Sequence, residues 1–193
     1  MRQLAASLLL GLATATAWAA DPAAGAEKAK ACAACHGTDG VSQTAMTPSL
    51  AGQLDGYMQW QLVFFRNGVR KSPVMQPMAS SLADDDIRNV AAYYASLPPP
   101  APGLNGPVDA PRFEAGRKIA EVHRCAACHK DDYSGAQATA RTAGQREDYL
   151  LAALRAYKSG ARTGSGVAAM PDAVYPLVDE QLQALAHFLS HLP

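Results

Sequence analysis

The sequence predicts an all-α protein built from two tandem copies of one helical unit. Three observations lead there. The pentapeptide CAACH occurs at 32–36 and again at 125–129. Beyond each copy, apolar residues recur at i, i+4 and i+7, the spacing of one helix face. No stretch alternates convincingly in the period-2 manner of a half-buried strand.

The chain of 193 residues opens MRQLAASLLLGLATATAWAAD. Arg2, an apolar run and the Ala17-Trp18-Ala19 triplet fit a secretory signal peptide over 1–19. An uncleaved anchor is the bland alternative, but the run is short for a membrane span. No cysteine lies near the cleavage site to take a lipid.

Two units follow, over 20–97 and 112–193. AGQ recurs at 51–53 and 143–145. Tyr57 then matches Tyr149, Met58 matches Leu150, Leu62 matches Leu154 and Phe65 matches Tyr157. Gly68 and Gly160 are placed to end those helices in a left-handed turn. LADDDIRNVAAYYASL and LVDEQLQALAHFLSHL align without gaps as last helices, with Asp84 and Asp179 as expected N-caps. Between the units, 98–111 is proline-rich and reads as an extended, semi-rigid linker. Each unit is small for an independent apolar core, which favours a bound group that completes it.

Charge is uninformative: 17 basic residues face 17 acidic ones. Nothing points to nucleic acid. The four cysteines say more, because all fall in the two pentapeptides. In an exported chain they could form disulfides or a zinc site. Neither explains a histidine directly after the second cysteine of each pair. C-x-x-C-H is the attachment signature of covalent haem. Positions one and four of a helical turn face the same way, and position five follows them to the metal. Two such motifs predict two haems c, held by Cys32 and Cys35 and by Cys125 and Cys128, with His36 and His129 as proximal iron ligands.

With these motifs, the AGQ–Tyr segments, the M-x-x-x-x-x-x-L spacing and last helices ending AAYYASL and AHFLSHL, the chain resembles the dihaem cytochromes c4. The resemblance covers essentially all of the mature chain. It implies two class I cytochrome c domains packed with their haem edges facing each other. It also implies a periplasmic electron carrier, often loosely membrane-associated and serving terminal oxidases. Family members usually have proline where a main-chain carbonyl receives the proximal histidine. Pro48 fits, whereas Ala140 stands at the matching place. The position before each last N-cap is often serine; here it is Ala83 and Val178.

Methionine is the usual sixth ligand beside histidine in such carriers. Met170 is the one methionine of the second unit, seven residues before Leu177. Met75 lies seven before Leu82, so Met75 and Met170 are the expected ligands. Met78 aligns with Ala173 and is expected to pack against haem or helix, although SPVMQPMASSL looks poor as helix or strand. Met58 is expected in the core. His123, His187 and His191 are expected at the surface. Arg70 and Arg162 align just past the helix-ending glycines, where they could meet haem propionates or simply solvate a helix end. Gly25 with Tyr93 or Tyr94, and Gly116 with Phe188, could be the close contact of first and last helices.

The expected function is single-electron transfer, with no catalysis, between a donor such as a quinol-oxidising complex and an acceptor such as a terminal oxidase. The alternatives are a cytochrome subunit of a dehydrogenase complex and a dihaem enzyme of peroxidase or thiosulfate-oxidising type. A peroxidase needs an openable iron site. Thiosulfate oxidisers generally use a cysteine ligand, and there is no fifth cysteine.

Overall fold

The computed structural model describes residues 19–162 and 169–193. Most of the expected signal peptide therefore lies outside the described residues. The described residues are all-α; their one β feature is an isolated bridge between Ala136 and Thr139. No described helix is long and apolar enough to cross a membrane.

Each unit has the same five helices. In the first they are α1 (Pro22–Ala29), α2 (Ala33–His36), α3 (Asp55–Arg66), α4 (Met75–Ser80) and α5 (Asp84–Ser96). In the second they are α6 (Ala110–Val122), α7 (Ala126–His129), α8 (Glu147–Lys158), α9 (Ala169–Val174) and α10 (Asp179–Ser190). Asp21 starts α1 by accepting from the Ala23 and Ala24 amides, and Asp109 starts α6 by accepting from Arg112. Helices α3 and α8 stop where Gly68 and Gly160 turn at φ 67° and 73°, as their spacing predicts.

First and last helices cross at a glycine. A Cβ on Gly25 would lie 2.0 Å from the Asn89 carbonyl oxygen and 2.9 Å from the Tyr93 Cβ. A Cβ on Gly116 would lie 2.1 Å from the Ala184 oxygen and 2.6 Å from the Phe188 Cβ. Tyr93 is thus the residue at the first crossing. Tyr94 is buried in a core with Ala29, Met58, Val90 and Ala91. The second core gathers Leu150, Leu154, Tyr157, Leu182, Leu185 and Phe188.

Three local expectations change. The SPVMQPMASSL stretch does form a helix. Pro77 is its third residue, and Pro171 is the third residue of α9. A proline there removes only an amide that the first turn leaves unpaired anyway. The caps of the last helices move back by one: Ala83 and Val178 have extended N-cap geometry, and Asp84 and Asp179 are already helical. Asp86 and Gln181 reach back to accept from the Ala83 and Val178 amides at 3.0 Å, half of a capping box.

The proline-rich stretch also differs from an extended tether. It turns at 102–105, and α6 already begins at Ala110. The Asn105 side chain donates to the Ser190 oxygen at 2.9 Å and accepts from the Glu147 amide at 2.9 Å. Pro99 packs over Gly52.

The two kinds of glycine separate by experiment. Gly116→Ala should cost about 3 kcal/mol, the upper end of the overpacking range, because the clash is with a main-chain carbonyl. Gly160→Ala meets nothing within 4 Å and should cost about 1 kcal/mol for its left-handed φ. Denaturant midpoints of the haem-loaded variants check the order.

Candidate haem sites

Each CAACH segment is a single helical turn. Its first cysteine is the N-cap residue and its histidine the last helical residue. Cys32 and Cys125 are half-buried, and Cys35 and Cys128 are exposed. Burial raises the pKa of the Cys32 and Cys125 thiols.

The His36 Nδ1 lies 2.9 Å from the Pro48 carbonyl oxygen, and the His129 Nδ1 lies 2.8 Å from that of Ala140. A carbonyl only accepts, so each Nδ1 carries the proton and Nε2 is the basic nitrogen. Burial lowers both imidazole pKa values, and the carbonyl bonds only partly oppose it. Both rings are therefore neutral with a fixed tautomer, the form in which an imidazole can bind a metal. Ala140 supplies the same carbonyl as Pro48, one residue closer in sequence to its histidine.

Met75 and Met170 are each half-buried near the start of the matching helices α4 and α9, and Met170 packs against the second core. Met78 is 41% exposed on α4, three residues beyond Met75. Met58 is buried in the first core, as expected.

The units meet across a pseudo-twofold contact. Arg70 Nη2 donates to the Tyr149 hydroxyl at 3.0 Å, and Arg162 Nη2 donates to the Tyr57 hydroxyl at 2.8 Å. Arg70 lies over the Phe65 ring and Arg162 over the Tyr157 ring, each 4.5 Å from the centroid. Both guanidiniums also donate to the Gln61 Oε1, at 2.6 and 2.9 Å. Arg162 is 5% exposed, so it is not a solvated helix end. No carboxylate pairs with it among the described residues, and its Nε is buried without a partner, as is that of Arg141.

A buried guanidinium facing only neutral groups is costly unless an anion joins it. Burial alone would raise the Tyr149 phenol, but the two guanidiniums outweigh it and hold its pKa below the ordinary tyrosine value. The donor set thus calls for carboxylates, and a haem brings two propionates. The residues present fit the group: thiol pairs on one turn, neutral imidazoles with a free Nε2, and an anion-seeking cleft between the units.

The family description "Cytochrome c" matches residues 113–193, and "Cytochrome C oxidase, cbb3-type, subunit III" matches 19–93. Cytochrome c4 of Pseudomonas aeruginosa is 34% identical over the whole of both chains. The chain belongs to the cytochrome c4 family. It is a dihaem electron-transfer cytochrome with two covalently bound haems c. The thiosulfate dehydrogenase electron acceptor of Stutzerimonas stutzeri is also 34% identical, over 85% of this chain and 80% of its own. The crystal structure of reduced recombinant cytochrome c4 from Pseudomonas stutzeri superposes with a TM-score of 0.79 at 28% identity. It covers 91% of this chain and 100% of its own.

One cluster differs from its surface expectation. His187 is 4% exposed. Its Nε2 accepts from the Asp109 amide at 3.0 Å and its Nδ1 donates to the Glu147 Oε2 at 2.8 Å. His191 lies within metal-sharing reach of both side chains. However, both nitrogens of His187 are engaged, His191 Nδ1 donates to the His187 oxygen at 2.8 Å, and Arg112 holds Glu147 at 3.3 Å. The cluster staples α10 to the starts of α6 and α8. His123 is half-buried.

Arg162→Leu removes a buried positive charge from the cleft between the units. Positive charge favours the less positive iron state, so midpoint potentials should fall in a redox titration. Added salt should change that fall little, because buried charge is poorly screened.

Proposed function

We propose that the chain is a periplasmic carrier of single electrons with two six-coordinate sites, each formed by one domain. Residues 20–97 form the first domain and 112–193 the second, joined through 98–111 and exported by a leader over 1–19. Cys32 and Cys35 attach the first haem and Cys125 and Cys128 the second. His36 with Met75 would hold the first iron, and His129 with Met170 the second.

The observation that carries the reading is the matched pair of imidazoles, each neutral and tied through Nδ1 to a main-chain carbonyl. Such a histidine is held in one orientation before any metal arrives. The half-buried methionines at matching places in α4 and α9 support the second ligand. The haem iron supplies one-electron chemistry between its ferrous and ferric states. The chain holds the proton at each Nδ1, keeps the rings from turning and excludes water from the histidines' side. It also offers Arg70 and Arg162 to propionates. With a histidine and a methionine both offered to each iron, no position would be left for a substrate, which is why a carrier is favoured over a peroxidase.

The natural donors and acceptors are redox proteins, with no nucleic acid partner and at most peripheral contact with the membrane. A respiratory donor such as a quinol-oxidising complex and an acceptor such as a terminal oxidase fit the family. A second reading is favoured by the relatives named as thiosulfate dehydrogenase electron acceptors, from Stutzerimonas stutzeri and Thiomonas intermedia. On that reading the chain takes electrons from a dehydrogenase, as a soluble acceptor or as its cytochrome subunit. Reduction of the purified protein by quinol-oxidising membranes, compared with reduction by a thiosulfate dehydrogenase, separates the two.

The resting ferric protein should show the weak near-infrared sulfur-to-iron band at an intensity for two sites. The ferrous protein should bind carbon monoxide slowly. Fast binding without treatment would favour an enzyme. Met75→Ala should remove about half of the band, lower the first haem's potential and open that iron to carbon monoxide, since thioether favours ferrous iron. Met78→Leu should leave the band intact and cost less than about 1.5 kcal/mol of stability. The reverse outcome would reassign the ligand.

A further inference from the structure

The AGQ glutamines do something the rest of the site does not. Gln53 and Gln145 are 6% and 7% exposed, and each reaches into the other domain. Gln145 Oε1 accepts from the Ser49 amide at 2.8 Å, and its Nε2 donates to the Ser49 oxygen at 2.9 Å. Gln53 Oε1 accepts from the Arg141 amide at 2.8 Å, and its Nε2 donates to the Arg141 oxygen at 2.9 Å. Each Oε1 also accepts from the next amide in its own chain segment, Arg146 at 2.9 Å and Leu54 at 3.1 Å. Two amide donors at one atom fix which end of the side chain is oxygen.

The residues gripped are telling. Ser49 follows Pro48, and Arg141 follows Ala140. The amide that each glutamine accepts from belongs to the same peptide unit as the carbonyl that accepts from the proximal histidine. Two continuous chains result. One runs from Gln145 Oε1 through the Pro48–Ser49 peptide to His36 Nδ1. The other runs from Gln53 Oε1 through the Ala140–Arg141 peptide to His129 Nδ1.

We propose that Gln145 and Gln53 are positioning residues that tune, across the domain interface, the proximal histidine of the opposite domain. The proposal rests on the reading of His36 and His129 as iron ligands. An acceptor on a peptide N–H polarises the peptide and makes its oxygen a better acceptor, because hydrogen bonds in a chain strengthen one another. A stronger Nδ1–H···O bond makes the imidazole more basic at Nε2. A more basic ligand favours ferric iron, so each glutamine lowers the potential of the haem it does not share a domain with.

The distinguishing feature is the crossover, which a merely structural contact would not produce. Gln145→Met keeps the side-chain length and removes the acceptor. In the full dihaem protein it should raise the midpoint potential of the first haem and leave the second near its parent value. In the reduced protein the His36 Nδ1 proton should shift upfield by NMR, and the His129 proton should stay. Gln145→Glu keeps an acceptor oxygen and should return the His36 proton to its parent position or beyond. Gln53→Met should give the mirror image, at the second haem and His129. A shift confined to the haem of the mutated domain would overturn the proposal. So would equal shifts at both haems, or unmoved protons in both methionine variants. The near-infrared band of the unmutated protein, recorded first, tests the ligand reading separately, so a failure of one is not mistaken for a failure of the other.

Discussion

The structure depends on one bond made twice, from an imidazole Nδ1 to a main-chain carbonyl eleven or twelve residues on. A single helical turn delivers each histidine, and a loop must return a carbonyl to its far side. One oxygen anchors each loop's return. The Gly40 oxygen accepts from the amides of Leu50 and Ala51, and the Tyr133 oxygen accepts from those of Thr142 and Ala143. Gly40 and Tyr133 both have positive φ, 77° and 55°. The second domain therefore places a tyrosine in a conformation that glycine adopts freely, and buries its ring against Phe188. Packing holds what the backbone alone would resist. This also explains why Ala140 serves where Pro48 does. Proline restricts the loop, but the acceptor is the carbonyl, which every residue has.

The interface extends the same logic. It has the reciprocity of a twofold dimer, in which residue i touches j and j touches i. Arginine pairs with tyrosine both ways, and glutamine pairs with main chain both ways. Here the symmetry joins two halves of one chain, and it is broken in places. Gln61 receives both arginines, while alanine stands at the equivalent position, 153. The Arg146 Nη1 bond to the Ser42 oxygen has no mirror image either. The hydrogen bonds named here are directional and several are buried, so they fix how the two halves sit against each other.

Much of this was legible in the sequence. The doubled CAACH, the repeated AGQ and the glycines at the helix ends give the all-α tandem fold and the paired carbonyls. What escaped was of two kinds. Short-range readings failed where tertiary contact or cap position overrode propensity. Met75–Ser80 looked too proline-rich for a helix, yet its proline falls in the first turn. The expected aspartate caps were one residue late because the reaching side chains, Asp86 and Gln181, act from the third helical position. The other kind was relational. His187 and the two glutamines look like ordinary polar residues until the halves are placed together. A signal did exist for the glutamines, since a polar residue repeated within a buried-looking A-G-Q segment has to find partners. For His187 there was none, because its partners come from a first turn and a linker that no periodicity relates to it.

The broken symmetry explains what a tandem chain can do that a dimer of single-haem units cannot. In a homodimer the two proximal peptides, the two anchoring turns and the two arginine clefts would be identical by construction, and so would the two potentials. Fusion into one chain lets each half vary alone. This chain uses that freedom at positions that matter for the irons: Pro48 against Ala140, Gly40 against Tyr133, and Gln61 against an alanine. The proximal carbonyl sits on a stiffer loop in the first domain, and only the first domain contributes an amide oxygen between the two guanidiniums. The scaffold keeps the two histidines in near-identical geometry, 2.9 and 2.8 Å from their carbonyls, while their surroundings differ. Two haems held in unlike surroundings can differ in potential, and such a difference would give a direction to an electron passing between the halves.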